Sequence, residues 1–253
     1  MSDIPTLISS LAPWPDVDFS EFGEVKAEKL PRMQALTGKF LGRNWVTIPH
    51  VTYHDDVDVT DVEHRRKSWN AAHPDSKLTP VAILAKVLAQ ALAEFPQFNV
   101  SINTQNQTLI RKSYYHVGIA VDTPAGLVVP VIRDVDRKSL SEIADELKAL
   151  ADKARTKGLN MQEMSGSCIS LSSLGHIGGT SFTPIVNAPD VAILGVTRTR
   201  PVPARGPDGE LMWRDMMPLS LSYDHRAING ADAAYFVRYI GMRLADPTLL
   251  DGG

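Results

Sequence analysis

Apolar residues recur along this chain with two periods, and the switches between them outline its elements. Met33, Leu36, Phe40 and Leu41 follow Pro31 at helical spacing, which predicts a helix ending near Asn44. Val51 to Val57 reads as a strand. Thr60 and Glu63 have capping-box spacing for a charged helix to about Ala72, with Arg65, Arg66 and Lys67 on a solvated face. Beyond His73-Pro74-Asp75-Ser76, Thr79-Pro80 opens a stronger helix. Its Val81, Leu84, Val87, Leu88, Ala91, Leu92 and Phe95 form a broad apolar face that Pro96 ends.

The rhythm then changes to that of strands. Leu109 to Lys112, Tyr114 to Val121 and Leu127 to Ile132 are strand candidates, and Asp122-Thr123-Pro124-Ala125-Gly126 joins the last two as a hairpin. Ser139 and Glu142 cap a helix through about Lys157, stopped by Gly158. Ser167 to Leu174 is a further strand, followed by a tight turn over Gly175 to Thr180. Val191 to Val196 is apolar almost throughout, as in a strand buried on both faces. Pro207-Asp208-Gly209 turns the chain into a strand from Leu211, and Ala233, Phe236, Val237, Ile240 and Leu244 build a closing helix. This order predicts one α/β domain with a mixed sheet flanked by helices. Residues 1–16, rich in Pro, Ser and Asp, read as an arm or linker, which leaves 17–253 as the domain.

Composition narrows the partners. With 253 residues, 43% of them hydrophobic, the chain is long enough for a substantial core. A net charge of -3 provides no basic footprint, so nucleic acid is not expected. No stretch approaches the roughly 20 apolar residues of a membrane span. Cys168 is the only cysteine, which excludes an internal disulfide and fits a reducing compartment. Its place in an alternating apolar run favours a buried structural thiol. A cytoplasmic protein is expected.

Several local matches lead nowhere. His50 and His54 lie four residues apart on a strand, about 13 Å, too far to share one metal ion; no metal is expected. Asp152-Lys153-Ala154 copies the tripeptide of lipoyl-lysine sites but sits in mid-helix. Gly175-His176-Ile177-Gly178-Gly179-Thr180 lacks the Lys-Ser/Thr ending of a nucleotide loop. The strongest chemical feature is Asp224-His225-Arg226-Ala227-Ile228-Asn229-Gly230, which closes a strand and presents an imidazole at its edge. Either a general base or a strand-end hydrogen-bonding group fits His225.

That segment resembles the His-x-x-x-Asp-Gly signature of chloramphenicol acetyltransferase and of the catalytic domain of the dihydrolipoyl acyltransferases of 2-oxo acid dehydrogenase complexes. Two more blocks, Val117 to Leu127 and Ser172 to Pro189, resemble the dihydrolipoyl branch, and the similarity extends from about Val17 to Leu250. The resemblance implies a chloramphenicol-acetyltransferase-like fold, trimeric, with active sites between subunits. It implies His225 as the base, Ser172 from a neighbouring chain as the oxyanion donor, and Asp122, Phe182 and Leu194 along a substrate channel. Arg43, Arg111 and Lys112 are candidates for the phosphates of coenzyme A. Asn229 departs from the signature, where most relatives have aspartate, and an orienting role is expected for it.

The implied reaction moves an acetyl group between S-acetyldihydrolipoyl-lysine and coenzyme A. The lipoyl-lysine would come from another domain or chain, since lipoyl and peripheral-subunit-binding segments are absent from these residues. A homotrimer, or a cage of trimers, and the other dehydrogenase subunits are the implied partners. A structural core with little catalysis and a small-molecule O-acetyltransferase remain alternatives.

Overall fold

A computed structural model describes residues 12–250. The first eleven residues of the expected arm and the last three of the chain lie outside the described residues. The longer helices are α1 (Arg32–Thr47), α2 (Thr60–Ala72), α3 (Pro80–Glu94), α4 (Leu140–Thr156) and α5 (Gly230–Ala245). The strands are β1 (His50–Asp58), β2 (Val100–Asn103), β3 (Thr108–Arg111), β4 (Val117–Ile119), β5 (Val121–Thr123), β6 (Gly126–Val128), β7 (Val131–Ile132), β8 (Ile169–Ser173), β9 (Ala192–Val196), β10 (Arg200–Arg205) and β11 (Leu211–Asp224).

The main sheet has the order β1-β11-β9-β8-β4-β7, with β10 paired to the first half of β11. It is mixed: β4, β8 and β9 run parallel, whereas β1, β11 and β7 pair antiparallel with their neighbours. Alternation sends Val57, Leu171, Leu194, Leu219, Leu221 and Tyr223 to the face covered by helices, where they join Leu84, Leu88, Ile143, Phe236 and Ile240 in one core. The α3 helix is buried along most of its length, and Thr79 caps it by accepting from the Ala82 N–H. Ser139 and Glu142 form the expected capping box on α4.

The opposite face is polar and hydrogen-bonded. Ser222 Oγ lies 2.7 Å from Thr52 Oγ1, and Ser220 Oγ lies 2.9 Å from His54 Nδ1. The segment between β8 and β9 crosses this face, packing Val186 against Ile48 and Ile193. No helix among the described residues is long and apolar enough to cross a membrane.

Some local expectations change. The α1 helix continues to Thr47, and only Asn44 of it is buried, leaving Leu36, Phe40, Trp45 and Val46 exposed. Thr60 is the first helical residue of α2 rather than its cap; its hydroxyl donates to Asp58 and accepts from the Asp215 N–H. Glu63 instead holds Arg66, whose guanidinium also donates to the Leu78 carbonyl, so Arg66 leaves the solvated face. The hairpin over 114–132 divides: β4 and β7 belong to the main sheet, and β5 and β6 form a separate two-stranded extension. Cys168 is fully buried, donates to the Tyr114 carbonyl, and burial pushes its thiol up to about 11. Lys153 is paired with Glu163.

Candidate active site

His225 stands just beyond β11, where the chain must leave the sheet and start α5. Its N–H donates to the Pro49 carbonyl at 3.1 Å, tying the residue to the chain entering β1. On its other flank the carboxylate of the buried Asp224 accepts from the Arg226 N–H at 3.0 Å and from the guanidinium at 2.6 to 3.2 Å. The hydrogen bond from Arg226 to Asp224 raises the arginine's already high pKa. The Asp224 carbonyl accepts from Ala227 and Ile228, and the turn passes to Asn229.

Asn229 caps α5. Its Oδ1 accepts from the Asp232 N–H at 3.0 Å, and Asp232 accepts from the Asn229 N–H at 3.5 Å. The amide therefore anchors the end of the histidine turn through the helix start. The His225 residue itself is exposed at the head of this braced turn.

Ser172 lies elsewhere. It is opposite Gly195 on β9, and Gly195 is opposite Ser220 on β11. His225 is five residues past Ser220, about 16 Å along the strands and two strand spacings to the side. One chain therefore holds the serine and the histidine at opposite ends of its sheet. Arg198 donates to the carbonyls of Gly175, His176 and Ile177, bracing the glycine turn after Ser172 and Ser173. Nothing in the apolar rhythm singles out Arg198; only its fold reveals the role.

The remaining candidates divide. Phe182 lies against Gly195, beside the Ser172 end, and Asp122 is exposed in the β5–β6 hairpin. Leu194 is fully buried in the core on the helix side, so it does not line a channel; its neighbours Ile193 and Gly195 face the crossing segment. Arg43 donates to Asn44 Oδ1 and helps line a cleft of about 630 Å³ with Thr47, Thr104, Pro189, Asp224 and Arg226. That cleft borders the histidine turn. Arg111 is exposed on β3.

Lys112 is withdrawn from the phosphate candidates by its surroundings. Its side chain is 6% exposed, and its ammonium donates to the Ser167 carbonyl at 2.8 Å and lies 3.7 Å from the buried Asp190 carboxylate. Ser167 and Ser170 also donate to Asp190. Burial raises the Asp190 pKa, against the opposing pull of Lys112 and the two serines. Of the two histidines weighed as metal ligands, His50 is held by Ile48 and Val186 and His54 by Ser220.

A mixed sheet with this arrangement is also found in chloramphenicol acetyltransferase, with a TM-score of 0.53 at 15% identity over 81% of this chain and 92% of that one, a likeness of fold alone. Residues 22–251 match the 2-oxoacid dehydrogenases acyltransferase (catalytic domain) model, and the chain belongs to that family. It is 52% identical over 94% of its length to the dihydrolipoyllysine-residue acetyltransferase component of the pyruvate dehydrogenase complex of Pseudomonas aeruginosa, of which it spans 44%. A solved structure of the Azotobacter vinelandii dihydrolipoamide acetyltransferase, from work on the role of a serine, a histidine and an asparagine in its mechanism, is 47% identical with a TM-score of 0.90. The match covers 95% of this chain and 99% of that one. The cubic core of a pyruvate dehydrogenase multienzyme complex is 48% identical, also with a TM-score of 0.90 and the same coverage of both chains.

Proposed function

We propose that the chain transfers an acetyl group between S-acetyldihydrolipoyl-lysine and coenzyme A. The observation that supports a two-chain site is the separation of Ser172 from His225 within one chain, so that each end of the sheet would supply half of a site. Leu36 and Phe40, one turn apart on α1 and both exposed, offer apolar surface for a neighbouring copy, in keeping with a trimer. The solved cubic core of a relative at 48% identity supports a cage of trimers as a further level of assembly.

The chemistry follows from the thiols. A thiol of ordinary pKa is only a few per cent ionised at neutral pH, so a neutral imidazole that removes its proton during attack accelerates the reaction. His225 takes the proton of the coenzyme A thiol, and the sulfur attacks the thioester carbonyl. Ser172 of a neighbouring copy donates its hydroxyl to the tetrahedral oxyanion. Collapse breaks the original carbon–sulfur bond, and the dihydrolipoyl sulfur takes the proton back from His225. Asn229 braces the turn from below through the α5 cap.

Arg43, at the cleft beside the histidine turn, and exposed Arg111 are the remaining basic candidates for coenzyme A phosphates. Phe182 and Asp122 are candidates for the substrate channel. The lipoyl-lysine would be supplied by another domain or chain, with other subunits of a pyruvate dehydrogenase-type complex as partners. A cytoplasmic location is in keeping with the lone buried thiol.

Transfer from acetyl-coenzyme A to dihydrolipoamide tests the reading on wild type, His225→Ala and Ser172→Ala. Loss of the oxyanion donor is expected to lower turnover by about 10²- to 10³-fold with oligomers intact. Full activity in His225→Ala, or none in the wild type, would overturn it.

A further inference from the structure

The His225 backbone is held by a bend that a second histidine organises. Ile48 ends α1, with its N–H donating to the Asn44 carbonyl, and Pro49 carries the chain into β1. His50 Nδ1 lies 2.9 Å from the Ile48 carbonyl, closing the bend around Pro49. The Pro49 carbonyl, between those two residues, receives the His225 N–H. Proline lacks an N–H and has a restricted φ, so the bend has few internal hydrogen bonds of its own. The imidazole supplies the missing one.

The ring is oriented from its far side. The Val186 N–H donates to His50 Nε2 at 3.0 Å, and Asn44 Nδ2 donates to the Val186 carbonyl at 3.0 Å. Val186 is fully buried and Asn44 is 1% exposed, so this peptide is fixed on both sides. An N–H pointing at Nε2 requires a lone pair there, which places the imidazole proton on Nδ1, facing Ile48. Trp45 stacks on the ring with centroids 5.7 Å apart. The fold thus selects both the position and the tautomer of His50.

We propose that His50 is a positioning residue for His225, acting through the Pro49 carbonyl that anchors the His225 backbone. This rests on His225 being the base of acetyl transfer. It adds that the base is aimed by a neutral imidazole in the same chain, itself set by the segment crossing the sheet.

Two conservative changes separate the arms. Asparagine at position 50 places an amide donor near the Nδ1 position, facing Ile48, and lacks the acceptor for Val186. Glutamine places an acceptor near the Nε2 position and lacks the Ile48 donor. Steady-state transfer is measured in the full chain for wild type, His225→Ala, His50→Ala, His50→Asn and His50→Gln, together with amide hydrogen exchange of residues 223–228.

His50→Ala is expected to lower kcat by up to about 10²-fold, the scale of a misplaced catalytic group, with KM for both substrates within about threefold. His50→Asn should recover at least about tenfold of that loss, and His50→Gln should recover less. Exchange protection of the His225 amide should fall in His50→Ala and His50→Gln and persist in His50→Asn. Unchanged kcat in His50→Ala, a loss confined to KM, or glutamine restoring as well as asparagine would overturn the proposal. If His225→Ala keeps full activity, the base assignment fails instead. If the wild type shows no transfer, the exchange measurement alone decides whether His50 holds the His225 backbone. Should the alanine variant fail to fold, the asparagine and glutamine variants decide it between them.

Discussion

Adding one methyl group at Gly195 probes the segment crossing the sheet. A Cβ there would lie 2.7 and 2.8 Å from Cζ and Cε1 of Phe182, closer than carbon atoms approach, and 3.3 Å from Cε2, a tight contact. The strand cannot retreat, because Gly195 is paired with Ser172 on one side and Ser220 on the other. The ring must therefore tilt away. Overpacking of this kind costs about 1 to 3 kcal/mol. For a chain of this size each kcal/mol moves Tm by roughly 2 to 4 °C, so Gly195→Ala is expected to lose between about 2 and 12 °C in calorimetry. The cause is isolated by a double-mutant cycle with Phe182→Ala, which removes the obstructing ring. In that background Gly195→Ala should change stability by less than about 0.5 kcal/mol, giving a coupling close to the whole cost. Equal destabilisation in both backgrounds would refute the contact and place the penalty in the strand backbone.

Two further outcomes are expected. Lys112→Met leaves the buried Asp190 without its cation and should cost about 3 to 5 kcal/mol by urea denaturation, most of it regained in Lys112→Met with Asp190→Asn. Burial has raised the Asp190 pKa, and losing Lys112 raises it further, so folding favours the neutral acid. That contribution is full below the ordinary carboxylate range and fades as pH rises through the raised value, so the deficit of Lys112→Met should be smaller at pH about 5 than at pH about 8. Asn229→Ala removes the α5 cap and should cost about 1 kcal/mol, whereas Asn229→Ser keeps a capping oxygen and should retain both stability and transfer. A catalytic loss in a stable Asn229→Ser would assign the amide a role beyond the cap.

Much of this fold is written in local pattern. The α3 stripe, the Ser139–Glu142 box and the glycine after α4 depend on residues a few positions apart, and they were legible for that reason. Strand β10 was hidden because Pro201 and Pro203 interrupt its pattern, which an edge strand tolerates and an interior one does not. The place of Leu194 along a channel is implied by the family resemblance alone, and the local pattern offers no check on it. A strand buried on both faces loses its alternation, so sequence cannot tell which of Leu194 and Gly195 meets the helices. The burial of Lys112 is not legible in the sequence, because its partner Asp190 lies 78 positions further along. The Asn229 cap was within reach, since Asp232 stands three residues beyond it, as in a capping box. The interplay of His50 with Val186 was not, because it spans 136 residues.

The placing of β1 next to β11 has a consequence for the timing of synthesis. Among the described residues β1 pairs in the main sheet only with β11, and one side-chain contact between them joins residues 170 positions apart. At ribosomal speeds of about 5 to 20 residues per second, β1 waits roughly ten to thirty seconds for its partner. During that interval its edge is a template for unwanted pairing. The three aspartates on it, Asp55, Asp56 and Asp58, are the kind of charges that discourage such pairing before β11 arrives. Because His225 follows directly on β11, the histidine turn and the closure of the sheet's edge are completed in the same late event.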